Sequence, residues 1–559
     1  MRYTIWILYL FPFLASAQEL MISHANGYHG EFNLTISCDS CDEIRYNVNG
    51  ESLDNAMVYS NGIRINKALV SKNRLALRPT TAIPNIGVEG VEWHTWKAPG
   101  TYEKAVSIKC AGYKQDNRIT RIYYRTFFFD ENWSSFPTIS LNINPKDFYD
   151  DSIGISVPGR TVNPTNSIWT GNYHQKGKNW ERQIHYTFLK NGKTKQDTDV
   201  GVRIHGLKAG AVPQKSLRLY ARKKVGAKHI KYKFEKSKNK KHKRIILRTP
   251  YSGHSSKVLS DVITHEIARP LNIDIMDYGF ARTFINGEYW GLHMVRERID
   301  EKYLVSHYSC KEEDIQIPGN YDQPEFQRLF DFLDSNDLST SAAYNKFGQL
   351  LDLENFIDYV IVETHFRNTD WLQDNNNVTF WKEKGVGKWR LILIDMDACY
   401  QKVDGDMIEF MKEHNQSMIS RIFFPLMENE VFKQEFIRRY NHLVDSLLSP
   451  ARCFHIIDSL SDIVHEEMAP HVARWGHPTS VFTYVKDLDQ MRAFVNERGE
   501  YAGKHLAGHF SVDTAKIRTT EQVFFISQDE KIVFASILGL LGFLVFFLIR
   551  RKKRRSKVT

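Results

Sequence analysis

From Gln18 to about Phe129, apolar and polar positions alternate in short runs, among them Phe32-Asn33-Leu34-Thr35-Ile36 and Ile44-Arg45-Tyr46-Asn47-Val48. Turn pairs such as Asn49-Gly50 and Asn61-Gly62 separate them. Short strands at regular spacing, closed by Gly and Asn turns, predict an all-β sandwich. Strand-like patterning continues from Phe136 to Gly206 with a hairpin turn at Asn191-Gly192. The period then changes. Val258, Val262, Ile263 and Ile267 carry helical spacing over Ser256 to Ala268, stopped by Pro270. Two strands follow on either side of Asn286-Gly287, ending at Arg296-Glu297-Arg298. From Gln323 to about Thr364, and again beyond Tyr400 to about Tyr501, the apolar stripe is helical. Strands followed by helices give an α+β chain of roughly three structural units for its 559 residues.

The two ends change this picture. Tyr3 to Leu14 is apolar behind Arg2, and Ala15-Ser16-Ala17 supplies small residues, the pattern of a secretory leader over residues 1–17. Ile532 to Ile549 carries no charge and would span about 27 Å as a helix, so it predicts a single transmembrane helix. Arg550 to Arg555 is all basic, which places the 550–559 tail in the cytoplasm and the N-terminal bulk outside it, in a periplasm or at the cell surface. Residues 512–531 are polar and read as a juxtamembrane linker. The expected partners are then a membrane, held through that one C-terminal helix, and an exported protein.

The formal charge of +10 is concentrated between Gly206 and Arg248. The lysine block Lys236 to Lys243 lacks interleaved aromatics and reads as a solvated loop, so no nucleic-acid partner is expected. Lys215 and Arg218 differ, because they lie in the strand-like VPQKSLRLYAR. Lys215, Leu217 and Leu219 share one face of that strand, and Ser216, Arg218 and Tyr220 the other. A lysine turned inward needs an anion, and Glu297 at the end of its own strand could pair with it. Six cysteines in an exported chain permit disulfides. Cys38-x-x-Cys41 predicts a structural bridge, either within that pair or from one of them to Cys110, with one further bridge open among Cys310, Cys399 and Cys453.

The candidate chemistry lies between Asn368 and Tyr400. Val378 to Lys382 alternates, Gly385 and Gly387 punctuate, and Trp389 to Ile394 is apolar enough for a strand buried on both faces. Antiparallel pairing would bring the entry residues Asp370, Asn375, Asn376 and Asn377 close to the exit residues Asp395 and Asp397. Carboxylates and carboxamide oxygens in one place form the hard-oxygen environment that Mg²⁺ prefers, completed by phosphates and water. Phosphoryl transfer uses the same parts.

Two resemblances follow from these stretches. GYHGEFNLTISCDSCDEIRYNVNGESL resembles the immunoglobulin-like domain at the C-terminus of chitobiases and hexosaminidases, which gives an Ig-like sandwich over residues 18–129. GVRIHG, PQKSLRLYAR, FINGEYWGLHMVRERID, NTDWLQDNNNVTFWK and KWRLILIDMDACY, in that order, resemble the spore coat protein H (CotH) kinase family, an atypical protein-kinase-like fold, over residues 137–501. That resemblance implies transfer of the ATP γ-phosphoryl group to Ser or Thr of exported proteins, with Mg²⁺ or Mn²⁺. It implies Asp370 as the catalytic acid that orients or deprotonates the acceptor. Asp395 would hold metal, with Asn376 or a neighbour as second ligand and Asp397 as a further candidate. Lys215 and Arg218 would lie on the nucleotide side, with Glu297 as the lysine's partner. The alternative is an idle surface protein whose two domains serve adhesion or matrix binding.

Overall fold

In the computed structural model the described residues run from 19 to 513 and from 522 to 536 with gaps, the larger segments outside them being 1–18, 70–74, 81–103, 251–256, 514–521 and 537–559. The leader expected over residues 1–17 and the basic tail at 550–559 lie outside the described residues. The transmembrane helix expected over Ile532–Ile549 is corrected: among the described residues no helix is long and apolar enough to cross a membrane. Most of that stretch lies outside the described residues. Hydrophobicity alone does not make a span, and the fold class is given without a C-terminal membrane helix. The membrane partner and the single-pass topology fall with it. What is observed is a mixed fold of many strands and many helices.

The N-terminal part is built of strands. Glu43–Val48 pairs antiparallel with Val106–Lys114, which pairs antiparallel with Tyr123–Phe128, inside a six-stranded sheet. Leu34, Ile44, Ile65, Ile108 and Phe127 form its core. Cys38 and Cys41 are bridged to each other, with Cα atoms 5.5 Å apart. Cys110 is buried and unbridged, and Cys310, Cys399 and Cys453 form no further bridge.

The next seven long strands close into a barrel: β1 (Thr138–Asn142), β2 (Arg182–Lys190), β3 (Lys193–His205), β4 (Ser216–Tyr220), β5 (Arg244–Arg248), β6 (Tyr278–Ile285) and β7 (Glu288–Arg296). Their order around the barrel is β1-β2-β3-β4-β5-β7-β6, antiparallel except where β6 returns to β1. Asn191-Gly192 and Asn286-Gly287 make the two tight hairpins with positive φ at both residues of each pair, the backbone that twisted strands require. Gly287 has no substitute, because a Cβ there would lie 2.4 Å from the carbonyl oxygen of Ala105. Alternation along the strands sends Ile139, Leu141, Val200, Val202, Leu217 and Leu247 into the barrel core.

A helical body carries the rest of the fold. Its elements include α1 (Ser260–Ala268), α2 (Glu301–His307), α3 (Leu353–His365), the strands β8 (Thr379–Glu383) and β9 (Arg390–Leu393), α4 (Pro450–Trp475) and α5 (Val481–Phe510). Strands β8 and β9 pair antiparallel, Thr379 opposite Ile392, as the alternation predicts. Helix α3 is buried on nearly every side. Buried polar groups tie the layers together. Arg282 of β6 binds Glu467 of α4, donates from Nη1 to the hydroxyl of Tyr28 at 3.1 Å, and is 2 % exposed. Arg498 of α5 donates to the carbonyls of Thr364, His365, Val403 and Gly405, closing the end of α3.

Candidate functional site

The helix–hairpin contact sets the position of the acids. The carboxamide of Asn355 on α3 accepts from the Leu391 N–H at 2.7 Å and donates to the Leu391 carbonyl at 3.2 Å, clamping β9 onto the helix. The imidazole of His265 on α1 is hydrogen-bonded to the Leu393 carbonyl at 3.1 Å. The chain then turns sharply. Asp395 has φ 55° and ψ 59°, a left-handed conformation that Asp and Asn tolerate better than other side chains. That turn brings Asp395 and Asp397 to the same cation. Asp395 Oδ1 accepts from Arg248 Nη2 at 2.8 Å, and Asp397 Oδ2 accepts from the same nitrogen.

Arg248, the last residue of β5, is fixed on its other side by Asp261 of α1 at 3.1 Å. Asp261 is fully buried, pairs with Arg296 of β7, and accepts from the Met396 N–H at 3.0 Å. The turn carrying Asp395 and Asp397 is thus anchored to α1 and to two barrel strands at once. Burial alone would raise the carboxyl of Asp261, but Arg296, His265 and Arg248 outweigh it and hold the group well below the usual carboxylate range.

Asp370 reaches the same place through Asn368. The Asn368 side chain accepts from the Asp370 N–H at 3.1 Å and donates to the Asp395 carbonyl at 3.4 Å. The three asparagines part company. Asn377 donates to the carbonyl and to a carboxylate oxygen of Asp370, at 2.6 and 3.3 Å. Asn375 accepts from the Met418 N–H at 2.9 Å, at the start of a helix. Asn376 lies outside the described residues.

Beneath Asn368 sits Glu363, fully buried against Asn368 and Tyr359. Burial pushes its carboxyl up to about 8 from an ordinary 4.5. A carboxyl whose folded pKa is raised binds more protons folded than unfolded, so stability declines as pH rises from about 4.5 toward about 8. Glu363→Gln, neutral at every pH, should remove that decline; urea midpoints of wild type and variant across this range check it.

The barrel presents an arginine-rich face to these acids. Register places Arg203 opposite Arg218 on β3 and β4, and Ile246 of β5 opposite both Arg218 and Arg296, so these side chains share the outer face. Arg218 donates to His205, whose ring is pushed well below its ordinary value by burial and by the charges of Arg218, Arg248 and Arg298. Burial and the charge of Arg218 lower Arg298 as well. Arg218 Nε and Arg296 Nε and Nη2 are buried without hydrogen-bond partners. Unpartnered guanidinium donors beside a carboxylate pair suit the oxygens of an anion.

Lys215 and Glu297 are not brought to this place, which corrects their expected pairing. Lys215 is 3 % exposed, and its ammonium donates to the carbonyls of Thr80 and Val212 at 2.6 and 2.8 Å above the ring of Tyr173. The anion it needs by parity is replaced by carbonyl oxygens and an aromatic face, because its side of β4 is the closed barrel interior. Desolvation lowers its pKa well below the ordinary value. Glu297 instead accepts from the Asp277 N–H at 3.2 Å and is hydrogen-bonded to His307 at 3.0 Å. Asp261 and Arg248 are the site residues that the sequence reading passed over. Their signals were a lone acid on the buried face of an apolar helix, four residues before His265, and an arginine closing an apolar strand.

No curated protein matches the chain. Residues 202–502, from near the end of β3 to within α5, match the family model described as CotH kinase protein, so β1, β2 and most of β3 precede the matched region. The match covers more than half of the chain, which therefore belongs to the CotH kinase protein family and carries that family's kinase-type function.

Proposed function

We propose that this chain is a metal-dependent kinase that transfers the γ-phosphoryl group of ATP to Ser or Thr hydroxyls of a protein. One observation carries the reading: Asp395 Oδ1 and Asp397 Oδ2 converge on a single nitrogen of Arg248, while Asp370 is bound to the same turn through Asn368. Two carboxylate oxygens that both reach one nitrogen can both reach one divalent ion, so the donor set fits Mg²⁺ or Mn²⁺ once Arg248 swings aside. When bound, such an ion would neutralise charge on the phosphate oxygens.

The roles of the chain's own groups follow from their places. Asp395 and Asp397 would hold the ion, with Asn376 as a further ligand proposed from the sequence. Asp370, steadied by Asn377 and Asn368, orients the acceptor hydroxyl and takes its proton. Arg218 and Arg298, with Arg248 once released, face the nucleotide phosphates from the barrel. In this reading Lys215 secures the barrel end and Glu297 does not serve the nucleotide. For the N-terminal region we keep the immunoglobulin-like assignment, supported by its strand pairing and the Cys38–Cys41 bridge.

A second reading, an idle kinase-like body that only binds, draws on Arg248 already neutralising the carboxylate pair. Incubation of the purified protein with γ-labelled ATP and Mg²⁺ or Mn²⁺ separates the two. Label transferred to the protein itself or to a general acceptor protein, dependent on metal and lost in Asp370→Asn while nucleotide binding persists, supports the kinase. Absence of nucleotide binding with either metal overturns it.

A further inference from the structure

Away from the carboxylate pair, four elements bring two carboxylates and two imidazoles together at the rim of the barrel. Asp277 precedes β6, Glu297 follows β7, His307 ends α2, and His242 lies on the short strand Lys241–His242. Asp277, Glu297 and His307 each offer a donor atom within 4.8 Å of the others. Glu297 is 3 % and Asp277 4 % exposed, so these are not acids on an open surface.

His242 supplies the independent observation. Its ring is nearly buried, at 6 % exposed, and Nε2 lies 2.9 Å from the carbonyl of Tyr232. A carbonyl only accepts, so Nε2 carries the proton and donates. Nδ1 faces Glu297 Oε1, 3.9 Å away and beyond hydrogen-bond reach. A ring nitrogen and a carboxylate oxygen that face each other too far apart to share a proton leave room for a cation between them. A tetrahedral ion with bonds of about 2.0–2.2 Å sets its donors about 3.3–3.6 Å apart, between the 3.0 Å of His307 to Glu297 and the 3.9 Å of His242 to Glu297. The supporting contacts are those of a metal centre: the far nitrogen of His242 on a backbone carbonyl, and Asp277 Oδ1 held by Arg269 at 2.7 Å.

We propose that His242, His307, Glu297 and Asp277 form a structural Zn²⁺ site. Mixed imidazole and carboxylate donors select a borderline ion of this kind over Mg²⁺. The ion joins the lysine-rich hairpin Ile230–Lys231/Lys241–His242 and helix α2 to the ends of β6 and β7, replacing the direct contact of His307 with Glu297. The site does not depend on the kinase reading.

The test uses the full chain without a histidine tag, stripped with chelator and titrated with Zn²⁺ against a chromophoric competitor. Stoichiometric tight binding is expected, with a rise in melting temperature on zinc addition that Mg²⁺ does not reproduce. His307→Gln changes a ring at the rim, where folding is not at stake, and should weaken zinc by more than the roughly 10–100-fold that loss of a supporting hydrogen bond costs. Asp395→Asn should bind zinc as wild type does, which separates this site from the carboxylate pair. Failure of the wild type to bind Zn²⁺ tightly, or equal binding by His307→Gln and His242→Gln, overturns the proposal.

Discussion

Asp395→Asn is expected to lower the rate of phosphoryl transfer by on the order of 10³-fold, the scale on which one preorganised charged group stabilises a transition state. Asparagine suits this position because Asp395 sits in the left-handed region at φ 55°, which asparagine also tolerates, so the turn should survive. Arg248 retains Asp397 and Asp261 as partners, and no buried cation is orphaned. The substitution therefore removes one ion-binding carboxylate and little else. Single-turnover transfer with labelled ATP, beside an unchanged melting temperature, gives the two readouts. A variant that transfers phosphate at the wild-type rate would show that Asp395 does not hold the catalytic ion.

Asp261→Ala should be the most destabilising change at this site. It would leave Arg296, 1 % exposed, without its anion, while Arg248 keeps Asp395 and Asp397, and breaking a buried pair from one side costs about 3–5 kcal/mol. The N–H of Met396 loses its acceptor too, so the turn carrying Asp395 and Asp397 loosens and activity should fall with stability. The pH dependence has a definite sign. A carboxyl held below its unfolded value stabilises fully above that value, near 3.9, and its contribution is lost as pH falls through the folded pKa. Urea denaturation at neutral pH should show the full loss, and the gap between wild type and variant should close in strong acid. An unchanged midpoint would mean that water or another group neutralises Arg296.

How much of this was legible depended on whether a group's partner lay nearby in the chain. The hairpin was readable because alternation and two glycines specify it locally, and its antiparallel pairing sets Asn368, which holds the Asp370 N–H, against the backbone carbonyl of Asp395. Parity along VPQKSLRLYAR also placed Lys215 with Leu217 and Leu219, opposite Arg218 and Tyr220. Parity does not say what lies across the barrel, so it could not show that carbonyls and Tyr173 would meet the ammonium. The assignment of Glu297 failed for the same reason: its partners come from the residue ahead of β6, from α2 and from a distant hairpin. The Asp261–Arg248–Arg296 cluster joins a helix to two strands, and each residue alone resembles an ordinary charged position.

The contact of Tyr28 with Arg282, and of Arg282 with Glu467, runs from the first strands to the penultimate long helix. Truncating the chain ahead of the barrel would strip a hydroxyl from a guanidinium with no access to solvent. A shortened version would carry a wound in its middle, and the first quarter is better treated as a fastening of the enzyme than as luggage to be left behind.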